Sequence, residues 1–169
     1  MTFERAMVIL FTKVAQTVIA ERFTHTFFDN DGNRVRKVFA YLFSVFIAIF
    51  VNLFFHKPIF NFLSIFLGLS AIALSYNGTI KRKCMFVFYI LAVSCLIDLV
   101  VSAFLIKPFG YDGYSAFVSI FALLLLHAAQ LITERFFGND LGIELNNRYW
   151  LFIIASLLVC IITSIVIFM

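Results

Sequence analysis

An all-α fold, a polytopic transmembrane bundle of about six helices, is what this sequence predicts, and three observations predict it. The chain is 63% hydrophobic and 13% charged, with a mean hydropathy of +1.05, whereas a water-soluble domain needs about 25% charged residues to wet its surface. Its apolar residues fall into six runs, each close to the roughly 20 residues that cross a hydrocarbon core. Lys and Arg collect in alternate breaks between the runs, as they do on the cytoplasmic side of membrane proteins. With 169 residues, residues 1–169 read as a single transmembrane domain with almost nothing left for a soluble one.

The first span, 6–27, contains Lys13 and Gln16 and leads to Glu21-Arg22 rather than to a small-residue cleavage site, so no cleavable signal peptide is expected. The turn-forming Asp29-Asn30-Asp31-Gly32-Asn33 separates it from the second span, 38–55. His56-Lys57-Pro58 makes a very short turn into the third, 58–76, and Asn77-Gly78 ends that one. The fourth, 84–106, stops at Lys107-Pro108-Phe109-Gly110, and the fifth, 114–133, at a polar stretch from Glu134 to Arg148. Tyr149-Trp150 opens the sixth, 149–169, as interfacial aromatics do. The 24 Phe residues are spread through every run and read as lipid-facing and packing bulk. Cys84, Cys95 and Cys160 lack CxxC spacing and read as reduced thiols; Cys84, beside a basic loop, is a candidate for acylation.

The breaks after spans one, three and five hold Arg22, Arg34, Arg36, Lys37, Lys81, Arg82, Lys83, Arg135 and Arg148. The other side holds Arg5, Lys57 and Lys107. Nine cations against three place the odd-numbered breaks in the cytoplasm and the N-terminus outside, in a multi-pass protein of the plasma membrane. An even span count returns Met169 to the outside. Two readings of that end stand side by side: a sensor or anchor piece without its continuation, or a short last span that closes the protein.

Membrane helices associate through small and polar residues on facing stripes. Such stripes are Lys13, Gln16, Thr17, Ala20 and Thr24; then Ser44, Ala48, Asn52 and His56; then Ser64, Gly68, Ala71 and Ser75. The later spans carry Ser94, Asp98 and Ser102; His127, Gln130 and Glu134; and Ser156, Cys160, Thr163 and Ser164. Lys13, Asp98 and His127 are ionisable and deep in their spans, where a charge costs roughly 2.5–3.5 kcal/mol, so each is expected to face the bundle. Lys13 and Asp98 are a candidate pair between the first and fourth spans; a protonated Asp98 bonded to a serine is the alternative.

HExxH, GxSxG, P-loop and GxGxxG signatures are absent, and His25, His56 and His127 lie on different segments without metal-ligand spacing. No catalysis, no cofactor and no metal is expected of this chain. The net charge of +4 comes largely from cytoplasmic flanks that meet anionic headgroups of the lipid bilayer, and points to no nucleic acid.

The order of these parts carries a resemblance. A Phe-rich first span precedes a charged turn from Glu21-Arg22-Phe23 to Arg34-Val35-Arg36-Lys37, and the second span ends in Asn52-Leu53-Phe54-Phe55. The third ends at Tyr76-Asn77-Gly78 before Lys81-Arg82-Lys83, the fourth holds Asp98, and a longer segment precedes Arg148-Tyr149-Trp150. Over essentially its whole length the chain resembles the membrane-embedded sensor region of peptide-pheromone receptor histidine kinases of the accessory-gene-regulator type, whose C-terminal part is a GHKL ATPase domain. That domain and the further span that leads to it are not in these 169 residues. The resemblance implies a bacterial inner-membrane sensor in two-component quorum-sensing signalling, a homodimer, and a short hydrophobic peptide as ligand. It implies contacts from His56, Lys57 and Phe60 on the first external turn, and from Phe109, Tyr111, Asp112 and Tyr114 on the second. As interfacial aromatics, several of these also serve as membrane anchors.

Three other readings remain. The chain could be the substrate-binding membrane subunit of a vitamin-type transporter, against which stand Ala15 and Ala20, five apart with Lys13 nearby. It could be an ion or proton carrier relaying through Asp98 and His127, or a structural membrane protein without a ligand.

Overall fold

The computed structural model describes residues 3–28, 33–55, 58–110, 115–137 and Leu158. Those residues form five helices: α1 (Phe3–Phe27), α2 (Arg34–Phe54), α3 (Pro58–Ser75), α4 (Ile80–Phe109) and α5 (Ala116–Phe137). No strand occurs among them.

Three helices are long and apolar enough to cross a membrane, within Arg34–Asn52, Ile80–Phe109 and Ala116–Arg135. The apolar stretch of α3, Phe60–Ser75, is shorter. Every long window of α1 includes Lys13 together with the charged pair at one end or the other, Glu4-Arg5 or Glu21-Arg22, so it falls short on composition although not on length. About six spans is therefore more than the described helices show. The expected sixth, 149–169, lies outside the described residues apart from Leu158, which is helical and exposed.

Helix boundaries moved where caps govern them. α2 starts at Arg34 rather than 38 because Asn33 caps it, its Oδ1 accepting from Val35 N at 3.0 Å. α4 begins at Ile80, not 84, with Thr79 Oγ1 accepting from Arg82 N at 3.4 Å, so the basic triplet is helical rather than loop. At its far end α4 widens into a π turn over Ser102–Ile106, where Lys107 N reaches back to Ser102 O. That turn carries the helix past the expected stop at Lys107-Pro108, and Gly110 (φ 66°) ends it in the left-handed region. α5 likewise runs through Glu134 and Arg135.

The chain divides into two compact units, Met1–Val87 and Phe88–Met169. In the first, α2 packs along α3 and against α1. Close approach of α2 and α3 depends on Gly68: a Cβ there would run into Ser44 Oγ and stand 3.1 Å from Ser44 Cβ and 3.3 Å from its Cα. The buried side of this unit includes Phe23, Phe27, Phe28, Leu69, Ile72, Ala73, Met85 and Phe86. Phe28 stacks on Tyr76 at 5.3 Å and meets Phe86 edge-on at 5.3 Å, while Phe27 meets Phe86 at 5.8 Å.

The opposite side of α2 is a ladder of exposed aromatics: Phe39, Phe43, Phe46, Phe50 and Phe54. Phe46–Phe50 and Phe50–Phe54 ring centroids are 6.2 and 4.7 Å apart. Water would penalise such a continuous apolar face, whereas lipid does not. In the second unit α4 and α5 are tied by Tyr89 OH and Thr133 Oγ1 at 2.6 Å, and Thr133 also donates to Ala129 O. Cys84 and Cys95 are half-buried and form no disulfide among the described residues; Cys160 lies outside them.

Candidate functional site

Two polar clusters break the apolar interior of the first unit, one towards each end of α2 and α3. The first is built around Lys13, which the middle of α1 holds only 8% exposed. Its Nζ donates to Gln16 Oε1 at 3.3 Å and to Asn61 Oδ1 at 3.5 Å. Asn61 Oδ1 also accepts from Asn52 Nδ2 at 3.0 Å, and that same nitrogen donates to Ala48 O at 2.8 Å. Ser64 Oγ, buried, donates to Asn61 O. Asn52 is two residues from the end of α2 and Asn61 three from the start of α3, so the cluster lies where these two helix ends approach each other. An ammonium taken out of water needs oxygen ligands, and amide oxygens from α1 and α3 supply them. The arrangement can hold a polar or charged group of a ligand; it contains no nucleophile with an adjacent base.

The second cluster is a triangle of hydroxyls. Thr24 Oγ1 lies 3.1 Å from Tyr41 OH and 3.0 Å from Tyr76 OH, and the two phenols are 3.0 Å apart. Thr24 Oγ1 is also 2.6 Å from Glu21 O, so its single proton is shared between the carbonyl and Tyr76. Thr24 and Tyr76 are 0% and 3% exposed, and the triangle joins α1, α2 and the residue after α3. Interhelical hydrogen bonds in lipid contribute about 0.6 kcal/mol on average and up to about 1.7. Thr24→Val removes two of the three contacts without changing shape, and is expected to lower stability by about 1–2 kcal/mol in a detergent unfolding titration. Paired with Tyr76→Phe in a double-mutant cycle, the losses should be less than additive; strict additivity would show that Thr24 and Tyr76 are not energetically coupled.

The expected ligand contacts stand as follows. Phe60 is exposed and packs on Phe55, ring centroids 4.8 Å apart. Phe109 is 70% exposed at the end of α4. His56, Lys57, Tyr111, Asp112 and Tyr114 lie outside the described residues. Of the intramembrane ionisable residues, Lys13 faces inward as expected and His127 is half-buried. Asp98 departs from expectation, for it is exposed on α4. In the same unit Gln130 is fully buried, and neither atom of its amide has a hydrogen-bond partner among the described residues. Among those residues no group of three or more His, Cys, Asp and Glu could hold a metal.

Sequence reasoning missed Asn61, Tyr41 and Tyr76 as members of polar clusters. Asn61 had a signal, since it precedes Ser64 by three and prolongs the stripe of α3 by one turn. The tyrosines had none, because an aromatic near a span end reads as an interfacial anchor. Comparison with protein-family models, with curated proteins and with solved structures returns no match for this chain.

Proposed function

We propose that the chain is the membrane-embedded sensor module of a two-component signalling kinase, receiving a short hydrophobic peptide at its external face. The observation that carries the reading is the Lys13–Gln16–Asn52–Asn61 cluster: a buried ammonium and three amides from three helices, beside a turn flanked by exposed Phe55 and Phe60. An apolar peptide needs such aromatics for its side chains and a few fixed polar groups for its backbone. In this reading the chain crosses the plasma membrane about six times with its N-terminus outside, pairs with a second copy, and leaves phosphorylation to a separate kinase domain. Ligand binding shifts the packing of α1, α2 and α3 between two arrangements. His56, Lys57 and Phe60 supply outer contacts on the first external turn, and Phe109, Tyr111, Asp112 and Tyr114 supply them on the second.

The test uses the chain in lipid nanodiscs and a panel of short synthetic cyclic peptides rich in Phe, Leu and Met, read by fluorescence anisotropy. Saturable binding with a Kd below about 10 μM is expected for some members, weakened at least about tenfold by Lys13→Met. A panel with no saturable binder overturns the peptide reading. A vitamin that co-purifies with the chain would favour the transporter-subunit reading instead.

A further inference from the structure

Lys13 fixes the polarity of what its cluster offers. An ammonium donates and cannot accept, so the two amides that meet it have to turn their oxygens towards it. Gln16 Oε1 stands 3.3 Å and Asn61 Oδ1 3.5 Å from the same Nζ. Asn61 Oδ1 takes a second bond from Asn52 Nδ2 at 3.0 Å, and that nitrogen also donates to Ala48 O. Oxygens are used up in this way and nitrogens are left over. Gln16 Nε2 and Asn61 Nδ2, with two N–H groups each, have no hydrogen-bond partner among the described residues. The acceptor left over is Asn52 Oδ1, on a residue only 8% exposed. Lys13, Asn52 and Ser64 are buried, whereas Gln16 and Asn61 are half-buried. The members with N–H groups to spare are therefore the accessible ones.

We infer that Gln16 and Asn61 select the ligand by an oxygen acceptor, a carbonyl or a carboxylate, which their spare N–H groups bind. This rests on the peptide reading above and adds to it the polarity of the contact. The two residues belong to different helices, α1 and α3, and are brought together because both of their oxygens meet one nitrogen. A ligand oxygen held there would meet N–H groups that are already oriented, since the far end of each amide is tied to Lys13. A group that only donates, such as an ammonium, would set N–H against N–H and be refused. The aromatic rings of Phe55 and Phe60 stand near the same helix ends and suit the apolar part of such a ligand.

Gln16→Glu and Asn61→Asp test this separately. Each keeps an oxygen towards Lys13 and puts a second oxygen where the spare nitrogen was, with almost no change of shape. The full chain in nanodiscs at neutral pH is titrated with cyclic peptides rich in Phe, Leu and Met, read by fluorescence anisotropy, and its thermal unfolding is followed in parallel. Each variant should weaken binding at least about tenfold while its unfolding temperature does not fall. A smaller loss in either variant overturns the inference and leaves the peptide reading standing. No saturable binding by the unsubstituted chain overturns that reading and this inference with it. A fall in unfolding temperature would show that the two nitrogens hold the helices together, and overturns their role in selection. Linear forms of the same peptides, with a free or an amidated C-terminus, separate the two sources of the oxygen. Equal affinity assigns a backbone carbonyl, and tighter binding of the free acid, lost in both variants, assigns the carboxylate.

Discussion

Phe28→Ala is expected to destabilise the first unit by about 3–5 kcal/mol, the cost of deleting a buried aromatic that cannot be replaced by collapse of its surroundings. Phe28 is 2% exposed, and its ring touches Tyr76 on one side and Phe86 on another. Through them the end of α1 grips both the end of α3 and the start of α4. Alanine there leaves a void lined by two large rings, neither of which can move without breaking its own contacts. Phe28→Leu restores much of the volume but no stacking, so it should cost less than half as much. Thermal unfolding of the detergent-solubilised chain, followed by circular dichroism, measures both. A loss under about 1 kcal/mol for the alanine variant would show that these rings do not form the core argued for them.

The second large effect belongs to Gly68→Leu. Already a methyl group at this position collides with Ser44 Oγ and presses on Ser44 Cα at 3.3 Å, which is backbone and cannot rotate away. Isobutyl forces the two helices apart along their length. Overpacking of this kind costs about 1–3 kcal/mol in ordinary cores, and here it also pulls Asn52 from Asn61, whose 3.0 Å bond needs the same spacing. Gly68→Ala alone should be milder, and combining it with Ser44→Gly should recover part of its loss, because the hydroxymethyl group that the new methyl meets is then gone. Unfolding midpoints of the three variants decide it. If the combined variant is no better than Gly68→Ala, the collision is not with Ser44.

These two cases mark how far the sequence could be read. The α2–α3 contact was legible: Ser44, Ala48 and Asn52 recur at steps of four, as do Ser64 and Gly68. Run antiparallel across a short turn, these stripes meet with Ser44 against Gly68 and Asn52 against Asn61, as the contacts show. The Phe28 cluster was not legible, since Phe28, Tyr76 and Phe86 are separated by tens of residues and no periodicity links them. Nor does hydropathy distinguish Phe28, which is buried, from Phe39, which is 68% exposed; in lipid both sides of a helix accept the same residue. The helix starts at Arg34 and Ile80 were misplaced by four residues each, because hydropathy sees where a span becomes apolar and not where Asn33 and Thr79 cap a turn. Lys13 was expected to face the bundle and is buried, but its amide partner Asn61 was not foreseen. Asp98 was expected inside, on the rule that buried charge seeks company, and its side chain is exposed instead.

The wide turn at Ser102–Ile106 has a consequence for which meridian of α4 meets the water. Steps of four along an α-helix drift by about 40° each, so Ser94, Asp98 and Ser102 climb as a slowly slanting line. An uninterrupted ladder would hand that line to Ile106. With one extra residue in the turn, the backbone of Ser102 is bonded to Lys107, which comes to stand nearly above it. The polar track thus ends at Lys107, whose side chain is exposed, instead of at the hydrocarbon side chain of Ile106.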